Sequence, residues 1–246
     1  MSYSILDASQ FRVKEVVIVT KGGPIDVTAI YDEINIFDSL FLPVVSGNIL
    51  ITDALGLSNR LSFDGSEVIA MEIEKSADLD TASFKKAFRI YKQSDRKNVN
   101  QTTEKYILHF VSDEMIFSDQ QRVNQSYETT YSDVVKKLLE NYLKISNSAK
   151  GLYENTSGIK KIVVPNLRPL EALEWCARRS VDAKNSPNFV FFCNSIGYNF
   201  VSLSKLLQQE SILKINFSPK NLSNKDALME MSSAKHFEVE IGRAHV

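Results

Sequence analysis

The side chains best able to do chemistry in this chain are three histidines and two pairs of adjacent acids. His109 lies in YILHFVS, an alternating strand pattern, where a histidine is more often packed or pore-facing than a catalytic base. His236 and His245 lie near the end of the chain. The acid pairs are Asp32–Glu33 and Asp113–Glu114. Neighbours on a strand point to opposite faces, so we expect these acids to be solvated rather than to form a catalytic pair.

The remaining candidates favour structure over catalysis. Cys176 and Cys193 form neither a disulfide framework nor a paired metal motif, and we expect two reduced, buried thiols. The segment DLDTAS at Asp78 lacks the glycine and distal glutamate of a calcium loop. Phosphate-binding, dinucleotide-binding, zinc-protease and nucleophile-elbow motifs are absent from the sequence. The sequence therefore predicts a non-enzyme with no catalytic, cofactor-binding or metal-binding residue.

Composition sets limits on the partners of the protein. The 246 residues are 43% hydrophobic and 24% charged, with 29 basic and 30 acidic residues and a net charge of -1. Nucleic-acid binders usually carry a basic excess, so we expect no sequence-specific nucleic-acid binding. The longest apolar runs, such as Phe189 to Cys193, are far too short to span a bilayer, and the first residues do not follow a secretory pattern. We expect a globular protein without a membrane partner.

Hydrophobic periodicity is strand-like from Phe11 to Phe117. About six β-branched or alternating segments follow one another between turn signals. One of them is IDVTAIYDEINIFDSLF, in which four residues are expected on one strand face: Ile25, Val27, Ala29 and Tyr31. The pattern predicts a small antiparallel barrel or sandwich.

The stretch from Gly47 to Lys75 reads as strand, loop and strand. Gly47 lets the chain enter the first strand, and Asp53 can bond the backbone of the following turn. Gly65 permits a second tight bend before EVIAMEIEK. The stretch is therefore interpreted as part of a barrel wall and not as a reactive loop.

After Ser118 the period becomes helical. TYSDVVKKLLENYLKI predicts a helix with an apolar stripe and a cap at Ser132 or Thr130. KKIVVPN predicts a strand, and RPLEALEWCARRSVDA predicts a second helix with Pro169 in its first turn. NFVFFCNSIGYNFVSL predicts a hairpin that turns at Asn194 to Gly197. SILKINFSP predicts one more strand.

The second predicted helix has its own apolar stripe, formed by Leu170, Leu173 and Ala177. We expect this stripe to face the hairpin. Trp175 lies off the stripe and is expected to anchor the helix against the preceding domain or a neighbouring subunit.

As an ordered series, these segments resemble the central baseplate hub protein family of contractile-tailed bacteriophages, to which the spike proteins of type VI secretion are related. IYDEINIFDSLFLPVVSGNILITDALGLSNRLSFDGSEVIAMEIE is similar to the first barrel of that family. KYILHFVSDEMIFSDQQRVNQSY is similar to the strand and linker that follow it. VVPNLRPLEALEWCARRSVDAKNSPNFVFFCNSIGYNFVSLSKLL is similar to the next domain. The family-motif positions are Gly47, Asp53, Gly65, Glu67, Pro169 and Gly197.

The resemblance implies an α+β fold with three parts. An antiparallel β-barrel is expected over residues 1–117, a helix–strand–helix–hairpin α/β domain over 118–207, and the start of a second barrel over 208–240. Family members form a homotrimeric ring that joins the tail tube to the central spike, which in some phages carries a lysozyme. The implied partners are two further copies, a tail-tube protein and a tail spike protein. The implied location is the tail baseplate of the virion, after assembly in the host cytoplasm.

Two expectations concern the end of the sequence. The second barrel of the family would begin where this chain stops, so we expect a truncated metagenomic fragment. Residues 241–246 can be encoded by ATC GGA AGA GCA CAC GTC, which resembles a common sequencing-adapter read, and we expect them to be a non-native tail.

The alternative function is a carbohydrate-binding β module of a tail or cell-surface protein. Such a module does not require the helix–strand–helix–hairpin domain after its barrel, whereas the hub does. The two hypotheses therefore differ in what they predict after residue 117.

Overall fold

A computed structural model of the chain describes residues 11–60, 64–75, 84–145, 151–194 and 197–209. Its strands are β1 Phe11–Thr20, β2 Gly23–Asp26, β3 Tyr31–Phe37, β4 Ser46–Asp53, β5 Val68–Lys75, β6 Phe84–Asn98, β7 Glu104–Val111, β8 Val123–Thr129, β9 Lys160–Leu167, β10 Phe189–Cys193 and β11 Tyr198–Ser202. Its helices are α1 Leu57–Arg60, α2 Asp113–Asp119, α3 Tyr131–Asn141, α4 Pro169–Ala177 and α5 Leu203–Leu207. The described residues up to Leu207 belong to one compact unit. Several predictions concern residues outside these ranges: those for DLDTAS, SILKINFSP, His236, His245, the partial second barrel and the tail 241–246.

The first half of the protein is a seven-stranded antiparallel sheet with the strand order β2-β1-β5-β6-β7-β4-β3. β2 and β3 follow each other in the chain but lie at opposite edges of the sheet. A short turn joins the edges: the Val27 N–H donates to the Val16 carbonyl on β1, and the Thr52 N–H on β4 donates to the Ile30 carbonyl, both at 2.9 Å. The sheet must therefore curl, and it forms a half-barrel. The sequence predicted an antiparallel barrel, and the structure shows this curled sheet.

The inner face of the half-barrel is filled with apolar side chains. Along β4, buried and partly exposed residues alternate without interruption, as expected for a strand with one face in a core. The rings of Phe88 and Phe110 pack with centroids 5.0 Å apart. Buried inner-face residues include Val16, Ile18, Ile49, Ile51, Ile69, Met71, Ile90, Tyr106 and Leu108. Burial of this apolar surface is the main stabilising contribution to the sheet.

The strand expected to carry Ile25, Val27, Ala29 and Tyr31 on one face is interrupted, and that prediction is wrong. β2 ends at Asp26, whose Oδ1 accepts a hydrogen bond from the Thr28 N–H at 2.8 Å. The Ile30 N–H donates to the Val27 carbonyl at 3.1 Å and closes the turn. An aspartate that bonds the backbone two residues ahead favours a turn over a continued strand.

The second half contains the predicted elements and three described ones that the sequence did not reveal, α2, β8 and α5. α2 occupies residues expected to be strand and linker, so the predicted boundary at residue 117 falls inside a helix. Asp113 and Glu114 lie in its first turn and not on a strand. β8 pairs antiparallel with β9, and β10 pairs with β11 in the expected hairpin.

The two longer helices form as the sequence predicts. Thr130 caps α3 by accepting a hydrogen bond from the Asp133 N–H, and Pro169 is the first residue of α4. The α4 stripe is buried, with Leu173 fully enclosed and Leu170 and Ala177 almost so.

Candidate functional site

The six family-motif positions lie at the ends of elements and do not meet in one pocket. Gly47 is near the start of β4 and Asp53 is its last residue. Gly65 and Glu67 precede β5, Pro169 starts α4, and Gly197 precedes β11. Within the described ranges, histidine, cysteine and acidic side chains form no group that could hold a metal ion. These positions shape turns and joints, and their assignment as family motifs remains a prediction.

Asp53 is a buried carboxylate that organises the turn after β4. It is 1% exposed and accepts hydrogen bonds from the N–H groups of Leu55 and Ser58, each at 2.9 Å. Burial alone would raise the pKa of Asp53, but backbone N–H donors of this turn outweigh it and lower the pKa. Nearby, the Tyr106 hydroxyl is fully buried and lies close to the Asp53 carboxylate, without a hydrogen bond of normal geometry. Burial, followed by the charge of Asp53, raises the pKa of Tyr106.

Gly65 and Glu67 form a second carboxylate-centred turn. Gly65 has φ +88°, a conformation that L side chains rarely adopt. The Glu67 carboxylate is 3% exposed and accepts hydrogen bonds from the N–H groups of Asp64 and Gly65 at 3.1 and 3.0 Å. The turn is then tied to the rest of the protein by Arg89, which donates to the Ser66 carbonyl at 2.6 Å.

Arg89 is a residue that the sequence did not single out. Besides Ser66, its Nε donates to Asp113 at 2.8 Å. One guanidinium on β6 thus links the turn before β5 to the first turn of α2. A lone arginine in a strand carries no local signal of such a role, because both partners are distant in sequence.

Gly47 is required by close packing and not by its backbone angle. A Cβ atom built on it would lie 2.3 Å from the Asn35 carbonyl oxygen and 2.5 Å from the Phe110 ring. The Asn35 oxygen is backbone and the ring is part of the core, so neither can move away cheaply. The site therefore favours glycine.

Pro169 and Gly197 lie at two turns of the α/β domain, one at the start of α4 and one before β11. Next to Pro169, the Leu170 N–H donates to the Ser118 hydroxyl of α2 at 3.1 Å. The Gly197 N–H donates to the Asn194 side chain at 3.0 Å and holds the turn of the hairpin. Both positions fix the direction of a chain segment.

Polar contacts join the described part of the hairpin to the half-barrel. The Cys193 N–H donates to the Leu42 carbonyl at 3.2 Å, and Lys86 Nζ on β6 donates to the Asn194 carbonyl at 2.8 Å. Both acceptors are backbone atoms. Lys86 and Leu42 were not predicted as joint residues, since a contact with a backbone acceptor is independent of the side-chain type of the residue that accepts.

The two cysteines are free and buried, as the sequence predicts. Burial raises the pKa of Cys176 to about 12 and that of Cys193 to about 11. Thiols of this kind stay protonated at neutral pH and are poor nucleophiles.

The other chemical candidates are separated from one another. His109 Nε2 lies 2.8 Å from the Ser94 hydroxyl on β6. Asp32 pairs with Lys105 at 2.7 Å, while its neighbour Glu33 accepts from Asn35 at 2.9 Å. The pair Asp32–Glu33 is therefore divided between two different partners, in line with its interpretation as surface.

Trp175 contacts the α/β domain itself. Its ring packs edge-on against Tyr131 with centroids 6.2 Å apart, and Arg179 lies over it at 4.2 Å. These contacts join α4 to the start of α3.

The connection between β3 and β4 exposes several large apolar side chains. Phe37 is 51% exposed and Phe41 is 72% exposed, and Leu40 and Leu42 are also exposed. Leu40 and Phe41 line a shallow groove of about 190 Å³ together with residues of α4 and β10. An apolar group of this size on a surface is typical of contact sites. We call the segment from Phe37 to Leu42 the apolar loop.

Sequence-based comparisons find no match: neither a protein-family model nor a curated protein corresponds to this chain. Among the described helices, none is both long and apolar enough to cross a membrane.

Several solved structures resemble this fold. A tail protein from Neisseria meningitidis MC58 has a TM-score of 0.49 at 15% identity, over 84% of this chain and 55% of that chain. The 43 kDa tail protein of prophage MuSo2 from Shewanella oneidensis has a TM-score of 0.47 at 11% identity, over 76% and 54%. An E. coli component of the type VI secretion system, described as similar to bacteriophage T4 tail proteins, has a TM-score of 0.42 at 10% identity, over 78% and 48%.

The chain thus spans about half the length of the structures it matches. The recognition made from the sequence is confirmed to this extent: the matched proteins are phage tail proteins and a type VI secretion protein. With identities of 10–15% and TM-scores below 0.5, neither function nor assembly follows from these matches.

Proposed function

We propose that this chain is a structural protein of a phage tail baseplate, and that it forms a trimeric hub ring between the tail tube and the central spike. The observation that carries the proposal is the order of its elements. A curled antiparallel sheet is followed by a helix–strand–helix–hairpin domain, the series for which the sequence resembles the hub family. The division of the chain at residues 117 and 207, the motif role of the six positions, and a non-catalytic role are parts of this proposal.

The polar geometry also favours a structural role. The buried carboxylates of Asp53 and Glu67 are occupied by backbone N–H groups. Arg89 and Lys86 are engaged in joints between segments. Side chains used in this way define shape, and their existing hydrogen bonds leave them poorly placed to bind a substrate.

The apolar loop supplies a physical reason for association. Phe41 is the most exposed aromatic of this loop, and burying it against a second copy would remove a large apolar surface from water. The unpaired edges of β2 and β3 are further surfaces that association can cover. We propose that the apolar loop lies in the contact between subunits.

The carbohydrate-binding alternative is less favoured. It requires only the sheet, whereas α3, β9, α4 and the hairpin form a substantial second layer with its own buried residues. A tryptophan that serves as a stacking platform for a sugar would need an open ring face. Trp175, the only tryptophan in the chain, has one face under Arg179 and packs on Tyr131.

The test is the oligomeric state in sedimentation, followed by negative-stain microscopy in the presence of any spike and tail-tube proteins that neighbouring genes encode. We expect three copies in a ring with threefold symmetry. Phe41→Asp should weaken association, while Val99→Asp, at another exposed apolar site on the β6–β7 hairpin, should not. A protein that stays monomeric at high concentration with its spike protein present would count against the hub.

A further inference from the structure

Positively charged side chains lie over aromatic rings in the α/β domain. Four such pairs occur in the described part of the chain: Lys136 over Tyr153 at 5.0 Å, Lys137 over Tyr127 at 5.9 Å, Lys160 over Tyr131 at 5.9 Å and Arg179 over Trp175 at 4.2 Å. Each distance joins the cationic group to a ring centroid. All four pairs are within the range in which a cation is attracted to the face of a ring.

Two of these pairs form one continuous unit. Tyr131 and Trp175 pack edge-on with centroids 6.2 Å apart, so Lys160, Tyr131, Trp175 and Arg179 follow one another in contact. We call these four residues the cation–aromatic cluster. Lys160 and Arg179, its two cations, are exposed, whereas Tyr131 is 9% exposed. The rings therefore form a fixed base, and the charges face solvent.

The cations of the cluster differ from many others on the protein because they lack an acidic partner. On the sheet, Lys14 pairs with Glu72 at 2.7 Å. Beside the cluster, Arg178 pairs with Glu174 at 3.2 Å. In the described ranges, neither Lys160 nor the Arg179 side chain makes a hydrogen bond or an ion pair. The aromatic rings hold both groups in place without neutralising them.

The geometry suits carboxylates. A guanidinium that lies against an indole keeps its N–H edge available for two parallel hydrogen bonds to one carboxylate.

Phosphate is less well matched to this site. Phosphate sites at helices usually use free backbone N–H groups at the helix start. In α3, three of these N–H groups already donate hydrogen bonds within the protein. Ser132 N–H donates to the Thr156 hydroxyl at 3.0 Å, and the Asp133 and Val134 N–H groups donate to Thr130. The site offers charged side chains and no open set of backbone donors.

We propose that the cation–aromatic cluster is a docking site for an acidic segment of a partner protein, in which one carboxylate binds Arg179 and a second binds Lys160. Complementary charge supplies the attraction, and the rings fix its position. The proposal goes beyond the hub function and does not depend on it, because any assembly partner with a glutamate-rich or aspartate-rich segment can use the site.

The test uses the whole chain and a fluorescently labelled hexaglutamate peptide with blocked ends. Binding is measured by anisotropy at low ionic strength, where ion pairs are least screened. The emission of Trp175, the sole tryptophan, reports whether the peptide reaches the cluster. We expect saturable binding, a change in Trp175 emission, and weakening by added salt. Arg179→Gln and Lys160→Gln should each weaken binding roughly three- to fivefold, the size expected for an exposed ion pair.

Arg178→Gln is the matched control. It removes the same charge at the neighbouring position, where the Arg178 side chain already pairs with Glu174. It should change the affinity by less than about twofold. The proposal is overturned by any of three results: no saturable binding at low salt, equal weakening by Arg178→Gln and Arg179→Gln, or stronger displacement by inorganic phosphate than by sodium chloride at the same ionic strength. Far-ultraviolet circular dichroism of each variant checks that a loss of binding is not a loss of fold.

Discussion

Replacing Asp53 should destabilise the protein, because backbone N–H groups of the following turn lose their hydrogen-bond acceptor. Its carboxylate is buried and accepts from two N–H groups, those of Leu55 and Ser58, each at 2.9 Å. In Asp53→Ala both donors lose their acceptor inside the protein. A buried donor left unpaired costs about 1–3 kcal/mol, so we expect the free energy of unfolding to fall by roughly 2–4 kcal/mol.

Asp53→Asn separates shape from charge. The amide keeps one oxygen acceptor but presents an N–H₂ group to the other donor, and it removes the negative charge. We expect a smaller loss, about 1–3 kcal/mol at neutral pH. Asp95→Asn is the control: Asp95 is exposed with φ 54°, a conformation that asparagine tolerates. Its effect should stay within about 0.5 kcal/mol.

The pH dependence gives the sharper test. The pKa of Asp53 is lowered in the folded protein, so the charged form is favoured by folding. Its contribution is present above the unfolded-state pKa of about 3.9 and is lost as the pH falls through the lower folded-state pKa. The difference in unfolding free energy between the wild type and Asp53→Asn should therefore be constant above about pH 5 and narrow below about pH 4.

Urea unfolding at a series of pH values from neutral to acidic measures both effects. The slope with denaturant must be the same in all variants for the free energies to be compared. A loss below about 0.5 kcal/mol for Asp53→Ala, or a difference for Asp53→Asn that does not change with pH, would refute the account of this turn.

Three further substitutions test the packing. Leu173→Ala, at a fully buried site, should cost about 2–5 kcal/mol, whereas Leu207→Ala, at an 86% exposed site, should cost less than about 0.5 kcal/mol in the same urea titration. Gly47→Ala should lower the melting temperature because it cannot fit without displacing the core, at a cost of about 1–3 kcal/mol, while Gly22→Ala, whose Cβ would meet only a side-chain oxygen at 3.6 Å, should be tolerated. Tyr106→Phe removes a buried hydroxyl that makes no hydrogen bond of normal geometry to the nearby Asp53. It should therefore be neutral or stabilising in calorimetry, and a loss above about 1 kcal/mol would indicate a hydrogen bond to Asp53.

The sequence predicted those elements whose signals are local. Thr130 and Pro169 sit where capping and helix-start preferences place them. The β10–β11 hairpin follows from two aromatic strands around a short polar turn. In each case a few neighbouring residues determine the backbone, so a pattern of ten residues is sufficient.

The failures have equally specific causes. The segment with Val27 and Ala29 alternates like a strand, yet the Asp26 side chain turns the chain before the alternation can continue. α2 is short and opens with Asp113 and Glu114, which suit the first turn of a helix, but its seven residues are too few for a clear helical period. In the first of these segments, the alternation of apolar residues favours a strand, whereas the hydrogen bond from a side chain to the nearby backbone favours a turn. A single sequence does not show which of the two prevails.

The curl of the sheet and the joint with the α/β domain lie beyond any local signal. The turn between the edge strands β2 and β3 is joined to β1 and β4 through the carbonyls of Val16 and Ile30, and the hairpin is joined to the half-barrel through those of Leu42 and Asn194. Every residue type except proline offers the same N–H, and every residue offers the same carbonyl, so these contacts constrain geometry without constraining side-chain identity. Sequences can therefore diverge at such joints while the joints persist. What must stay in place is the small set of residues that let the backbone reach them: Gly47 for close approach, Asp53 and Glu67 for the turns, and Arg89 to tie one turn to α2.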